Sequence, residues 1–268
     1  MYKKDYFNMT APKRVPILAT VTDVRDISPS IRRLKLKSSN AEQFTALSEG
    51  HYFKFLFNLN GETDISSLSD KQKPIMRTYT IREYDSHSGE ITVDIVRHIT
   101  KDMQCGFASR WAESTTIGET ISLIGPGSSP YPNFDRDGAI FVADMTSLPA
   151  LAAVIKKMPT ETLGDAFIEI ASETDIQQLN APQGLSIHWV ITNKAQNLID
   201  TVRNASWPKG NIDVWCACEF DSMKALRHYF RNEKSIEKDH IYISSYWKQG
   251  VSEDGHKVLK RKDQENMQ

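Results

Sequence analysis

Gly125-Pro126-Gly127-Ser128-Ser129-Pro130-Tyr131-Pro132-Asn133 parts the chain into two rhythms, and the fold turns on what lies to each side. Glycines and prolines this dense punctuate regular structure, so the stretch reads as a linker. Upstream, apolar residues recur at every second position. Phe53, Phe55 and Phe57 share one face of a predicted strand, while Tyr52, Lys54 and Leu56 share the other. Ile91, Val93 and Ile95 alternate in the same way with Thr92, Asp94 and Val96. Further strands are expected at 17–24, around Ile31, Leu34 and Leu36, and at 120–124, separated by Ser28-Pro29, Asn60-Gly61 and Ser88-Gly89. Short antiparallel strands in series predict a closed Greek-key β-barrel. One helix, 107–113, interrupts them after Gly106.

Downstream the period changes. Apolar strands at 139–143, 166–170, 187–191, 212–217 and 241–244 alternate with helical stretches at 147–157, 196–203 and 222–232. Such alternation predicts a parallel sheet covered by helices, an α/β nucleotide-binding layout, although GxGxxG is absent. The expected organisation is a β + α/β chain: residues 1–133 a barrel, residues 134–268 an α/β domain. A polar tail follows Tyr246, with Lys257, Lys260, Arg261 and Lys262 close together.

Composition narrows the function. The 268 residues are 40% hydrophobic and 25% charged, with a formal charge of −1. A general nucleic-acid binder is not expected; affinity for anions must come from a local patch. Cys105, Cys216 and Cys218 form no CxxC, so no zinc or iron–sulfur site is expected. Cys216 and Cys218 are read as reduced thiols on opposite faces of a strand. Residues 1–14 lack the apolar core of a secretory signal, and no run is long enough to cross a bilayer. The expectation is a cytoplasmic, monomeric protein without a membrane or nucleic-acid partner.

Within the first half, Arg77-Thr78-Tyr79-Thr80 combines unusual chemistry. On a strand, Arg77 and Tyr79 point one way and Thr78 and Thr80 the other. A guanidinium grips phosphate in a bidentate fork, a tyrosine ring lies against a flat aromatic system, and a threonine donates to a ring nitrogen. The grouping fits a flavin nucleotide; an ordinary strand with a surface arginine also satisfies the spacing.

Five segments along the chain carry a resemblance. Ser28-Pro29-Ser30-Ile31-Arg32-Arg33, Val93-Asp94-Ile95-Val96-Arg97-His98 and Gly106-Phe107-Ala108-Ser109-Arg110-Trp111-Ala112 lie in the first half. Asp144-Met145-Thr146-Ser147-Leu148-Pro149-Ala150 and Tyr246-Trp247-Lys248-Gln249-Gly250 lie in the second. Together with Arg77–Thr80 they resemble the siderophore-interacting proteins and ferric-siderophore reductases, a branch of the ferredoxin reductase superfamily. The resemblance implies FAD. Arg77 would hold a pyrophosphate oxygen, Tyr79 would lie against the isoalloxazine, Thr80 would sit near the redox-active part of the ring, and Thr78 would also bind the cofactor. Asp94, Val96 and His98 would run along the ribityl and adenosine side, with a hydrogen-bonded Asp94–His98 pair at the barrel rim as the alternative. Gly106, Ala108 and Ser109 would open a helix toward phosphate, and Trp111 would pack in the core. Trp247 would cover the flavin or else close the last strand against the core.

The resemblance also implies an NADH or NADPH site at Asp144, Thr146, Pro149, Ala217 and Glu219. Cys218 replaces the family's glycine there and is expected to narrow the nicotinamide approach, which leaves a ferredoxin as an alternative donor. Glu219 reads equally as a helix N-terminal charge. A ferric siderophore, often anionic, would dock on Lys54 and Lys248, with Lys260 or Lys262 of the tail as a third charge. No side chain is expected to act as a catalytic nucleophile, acid or base, because the flavin carries the chemistry. A general flavin or ferredoxin reductase and a non-catalytic siderophore-binding flavoprotein remain the alternatives.

Overall fold

The computed structural model describes residues 15–38, 42–69, 71–98, 106–129, 136–192 and 197–266. Its first half contains β1 (Ile17–Ser28), β2 (Ile31–Lys37), β3 (Tyr52–Phe57), β4 (Ile75–Thr80), β5 (Glu83–Asp85), β6 (Glu90–Val96), α1 (Phe107–Ser114) and β7 (Thr120–Gly127). The strands form one antiparallel sheet in the order β4-β3-β7-β1-β2-β6-β5. Its two edges are joined by only Ile81 and Arg82. Ile81 N–H donates to His51 O at 2.8 Å on the β3 side, and Arg82 N–H donates to Thr92 O at 2.9 Å on β6. The sheet thereby rolls into the expected barrel. Phe53, Phe55 and Phe57 are fully buried inside it, each worth roughly 1.5–3 kcal/mol of burial. Trp111 of α1 closes the end, with its ring 5.0 Å from Phe55.

The stretch read as a linker is partly strand. β7 runs through Gly127, which pairs with Tyr52 of β3. A Cβ at Gly125 would sit 2.8 Å from the Phe53 Cβ, and one at Gly127 would enter the Tyr52 ring. The glycines serve close strand approach rather than flexibility. The expected boundary at 133/134 and Cys105 lie outside the described residues.

The second half supplies β8 (Gly138–Asp144), α2 (Leu148–Lys156), β9 (Gly164–Ile170), β10 (Leu185–Ile191), α3 (Leu198–Asn204), β11 (Ile212–Glu219), α4 (Phe220–His228), β12 (Ile241–Trp247) and α5 (Glu253–Glu265). The five strands are parallel, in the order β10-β9-β8-β11-β12. Every residue of central β8 is buried, as a strand covered on both faces requires. The strand order reverses between β8 and β11, whose carboxyl ends are where such sheets take ligands. No helix among the described residues is long and apolar enough to cross a membrane.

Two expectations change here. The polar tail is the thirteen-residue helix α5, capped by Ser252, whose hydroxyl accepts from Gly255 N–H. Cys216 and Cys218 lie on the same face, not opposite ones, because residues two apart on a strand point the same way. Both thiols are buried under α3 and α4, in the cluster containing Phe220 and Met223.

Candidate functional site

A cleft of about 1620 Å³ runs between the barrel, the carboxyl end of the parallel sheet and α5. Strand β4 forms one wall, and Arg77, Thr78, Tyr79 and Thr80 all face the cleft. The expected alternation holds for the first three. Arg77 lies 5.6 Å over the Phe107 ring of α1 and Tyr79 packs 5.4 Å from Phe55, whereas Thr78 turns to α5. Arg77 Nη1 donates to Met76 O at 2.9 Å and stands 3.6 Å from the Asp254 carboxylate. Burial, reinforced by Glu253, pushes the Tyr79 phenol far above its ordinary value, so it remains neutral. Thr78 donates both its N–H and its hydroxyl to the Glu253 carboxylate, at 2.9 and 2.7 Å.

The β6–α1 wall brings Asp94, Val96, His98, Gly106, Ala108 and Ser109 to the same cleft. Asp94 and His98 do not pair with each other. Asp94 accepts a bidentate fork from Arg33 at 2.6 and 2.9 Å, and Arg82 lies 3.3 Å away. His98 N–H donates to Ser109 Oγ, and that hydroxyl donates to His98 O, each at 3.2 Å. Ser109 thus fastens the end of β6 to the first turn of α1. Gly106, at φ 70, lets the chain turn sharply into the helix. The first intrahelical bond is Arg110 N–H to Gly106 O at 2.8 Å. The N–H groups of Phe107, Ala108 and Ser109 precede it at the electropositive helix end, a setting for phosphate oxygens.

At the sheet's carboxyl edge, Thr146 and Pro149 face the cleft, but Asp144, Ala217 and Glu219 do not line it. They act as scaffolding. Buried Asp144 accepts from Thr146 N–H at 2.9 Å, Thr146 hydroxyl at 2.6 Å and Trp247 Nε1 at 2.7 Å. Burial still raises its pKa against these bonds. Ala217 O accepts from the Ser147 hydroxyl across the switch point. Glu219 takes the helix-end reading: it caps α4, accepting from Asp221 and Ser222 N–H. Cys218 does not line the cleft either. Its side chain points into the α4 core, so the expected obstruction of a nicotinamide approach is not present.

Lys54 and Lys248 both line the cleft. Lys54 has no hydrogen-bond or ion-pair partner among the described residues, whereas Lys248 binds Asp221 at 2.6 Å and Glu219 at 3.2 Å. Lys260 lines the cleft but donates to Ser244 Oγ and Ser245 O, each at 3.0 Å, and burial lowers its pKa. Lys262 is exposed and lies off the cleft wall. Trp247 is 39% exposed and held by Asp144, which excludes the core-closing alternative and stands the indole at the cleft. Sequence reasoning missed Glu253 and His256, both on the cleft wall. Ser252 followed by Glu253 and Asp254 was their signal, as a helix start.

The donor set fits FAD. One cleft holds a guanidinium, a neutral aromatic ring, a helix N-terminal turn and threonine donors, and has room beyond the usual small-ligand range of roughly 300–1,000 Å³.

Comparison with known proteins agrees. Residues 20–130 match the siderophore-interacting FAD-binding domain, and residues 136–250 match the siderophore-interacting protein family. The chain is 29% identical over 245 residues to the ferric vibriobactin reductase ViuB of Vibrio cholerae, covering 86% of this chain and 88% of that one. A solved siderophore-interacting protein of Acinetobacter baumannii superposes with a TM-score of 0.79 at 25% identity, covering 94% of this chain and 98% of the other. The ferredoxin-NADP+ reductase of Plasmodium falciparum, at 16% identity and a TM-score of 0.64, covers 86% of this chain and 96% of its own and shares the fold. The barrel, the parallel sheet and the cleft between them are those of a ferredoxin reductase-like fold, and the chain belongs to the siderophore-interacting protein family.

Proposed function

We propose that this chain binds FAD in the cleft and reduces the iron of a ferric siderophore, loosening the chelator's hold on it. The observation that carries this reading is the convergence of Arg77–Thr80, the first turn of α1 and Lys54 on one cleft. Arg77 and the amides of Ala108 and Ser109 would hold the pyrophosphate, and Tyr79 and Thr80 the flavin. Val96 and His98 would follow the ribityl and adenosine side, and Trp247 would cover the ring from the sheet. Lys54, which has no partner among the described residues, would meet the ferric chelate from the barrel wall. Bound FAD would supply the redox chemistry, taking a two-electron hydride or single electrons and passing one electron to each of two iron(III) ions.

The donor is NADH, NADPH or a ferredoxin. Thr146 and Pro149 face the cleft where a nicotinamide would enter, and the packing of Cys218 leaves that approach open. The protein would act in the cytoplasm as a monomer.

The test is anaerobic. The FAD-loaded protein is reduced with each donor in turn, mixed with ferric hydroxamate and catecholate chelates, and ferrous iron is followed with a chromogenic trap. Ferrous iron released in proportion to reduced protein is the expected result. Protein that takes up no FAD, or that is reduced yet leaves every ferric chelate intact, would overturn the proposal.

A further inference from the structure

Two cations, Lys54 of β3 and Lys248 after β12, line the cleft together with Trp247, Ser128 and Ser129. They are not equivalent. Lys54 carries a whole positive charge without a partner among the described residues. Lys248 is held between the Asp221 carboxylate at 2.6 Å and the Glu219 carboxylate at 3.2 Å. Hydrogen bonds from these carboxylates, Asp221 first, raise the Lys248 pKa, so the ammonium stays charged and stays engaged. Glu219 also accepts from Gln249 N–H at 3.2 Å, which fixes it beside the lysine. Lys248 with its two carboxylates carries one net negative charge.

Among the described residues no other cation replaces it. The segment from Ser128 to Asp135 contains no basic residue, and Ser128 and Ser129 line the cleft. Lys257 is bound to Glu253 and Asp254, Arg227 to Asp263, and Arg77 stands beside Asp254. Lys260 is engaged by β12. Arg231 and Lys238 line the cleft beyond the start of β12, roughly 20 Å along that strand from Trp247 at about 3.3 Å per residue.

Ferric chelates divide by charge. Three singly charged hydroxamates leave iron(III) neutral, whereas three doubly charged catecholates leave a trianion. A trianion entering the cleft would meet Lys54, which has no partner among the described residues, and Lys248, whose charge the Asp221 and Glu219 carboxylates behind the cleft wall already offset; it would lose hydration that one ammonium does not replace. A neutral trishydroxamate loses little hydration and still offers oxygen acceptors to Lys54 and the serine hydroxyls. Resting on the ferric-siderophore reading above, we infer that Asp221 and Glu219 make this site selective for an uncharged, hydroxamate-type ferric chelate over a trianionic triscatecholate.

Binding and reduction are tested separately. Gallium(III) has the charge and geometry of iron(III) but is not reduced. The neutral gallium complex of desferri-ferrichrome and the trianionic gallium complex of enterobactin are titrated calorimetrically into FAD-loaded protein. The titrations are run at about 0.01 M salt, where the Debye length is ~30 Å. The expected result is about tenfold tighter binding of the neutral complex. Asp221→Asn should tighten only the trianion, by roughly tenfold, with little change for the neutral complex. Equal or tighter binding of the trianion by the natural protein would overturn the inference, as would an equal response of both complexes to Asp221→Asn. Binding of neither complex would overturn it together with its parent reading. Binding with the expected preference, but no reduction of either ferric complex by pre-reduced protein, would sink the reductase reading alone.

Discussion

Arg77 is held at the cleft wall by the Met76 carbonyl, the Phe107 ring and the Asp254 carboxylate. Its guanidinium is therefore ordered before any ligand arrives, and less entropy is lost on binding. Replacing Arg77 with Ala should weaken FAD binding by about 2 kcal/mol, roughly thirtyfold, as loss of a charged hydrogen bond to phosphate does. Quenching of FAD fluorescence in a titration of apoprotein measures this. Cys218 makes the opposite point. Its position beside Ala217 and Glu219 invited a role at the cleft, yet its side chain is wholly buried under α4. Cys218→Gly should leave the Michaelis constant for the electron donor unchanged. It should cost about 2 kcal/mol of stability through lost packing and added backbone freedom, read as a fall in the urea midpoint.

Helix α5 is the element that sequence patterning did not resolve. It spans the cleft from barrel to sheet. Glu253 accepts from Thr78 of β4, while Lys260 donates to β12 and Asp263 receives a two-pronged bond from Arg227 of α4 at 2.7 and 2.8 Å. Between them His256, 4% exposed, lies 2.8 Å from the Ser245 hydroxyl through Nε2. Burial, and then the nearby Lys260 charge, lower its pKa from 6.5 to about 4. Because the folded value is the depressed one, the unfolded chain binds a proton first as pH falls. The resulting destabilisation is absent above pH ~7, grows as pH falls from about 6.5 toward 4, and reaches at most about 3 kcal/mol. His256→Gln should flatten that part of the profile. Urea unfolding at pH 7 and pH 5 checks it: an equal loss in both proteins would remove His256 from the acid response.

Over the whole molecule, the cleft depends on how the two halves are fastened. Asp175, ahead of β10, accepts from Ser28 Oγ at 2.5 Å and Ser30 Oγ at 3.0 Å at the β1–β2 turn. Glu49 of the barrel binds Lys156 Nζ at 3.1 Å, and its carbonyl accepts from Lys157 at 2.8 Å. Burial alone would raise the Asp175 pKa, but the serine hydrogen bonds overcome it and hold it below 3.8. Its contribution is therefore present above that value and is lost as pH falls below it. Asp175→Ala leaves a buried hydroxyl without its acceptor. It should cost about 1–3 kcal/mol and broaden the calorimetric transition as barrel and α/β domain uncouple. A single sharp transition at the original midpoint would show that the other contacts suffice.

The amino-acid sequence determined the two-part architecture, because side-chain period follows directly from backbone geometry: two for the barrel strands, alternating strand and helix for the rest. It also determined which short segments carry groups suited to a phosphate and a flat ring, since Arg77–Thr80 and Gly106–Ser109 lie on one strand and at one helix start. Tertiary structure decided the rest. The glycines at 125 and 127 look like a linker until the rings of β3 are laid against them. Asp144, Ala217 and Glu219 lie at the strand ends of a ligand crevice, yet their neighbours from other elements turn them into scaffolding. Lys248 is basic in sequence and neutralised in space, because Asp221 and Glu219 reach it only when β11, α4 and the end of β12 are brought together. Local pattern specifies a residue's direction from its own strand or helix; its partners come from segments far away in the chain, and they set its charge, its exposure and what it is free to bind.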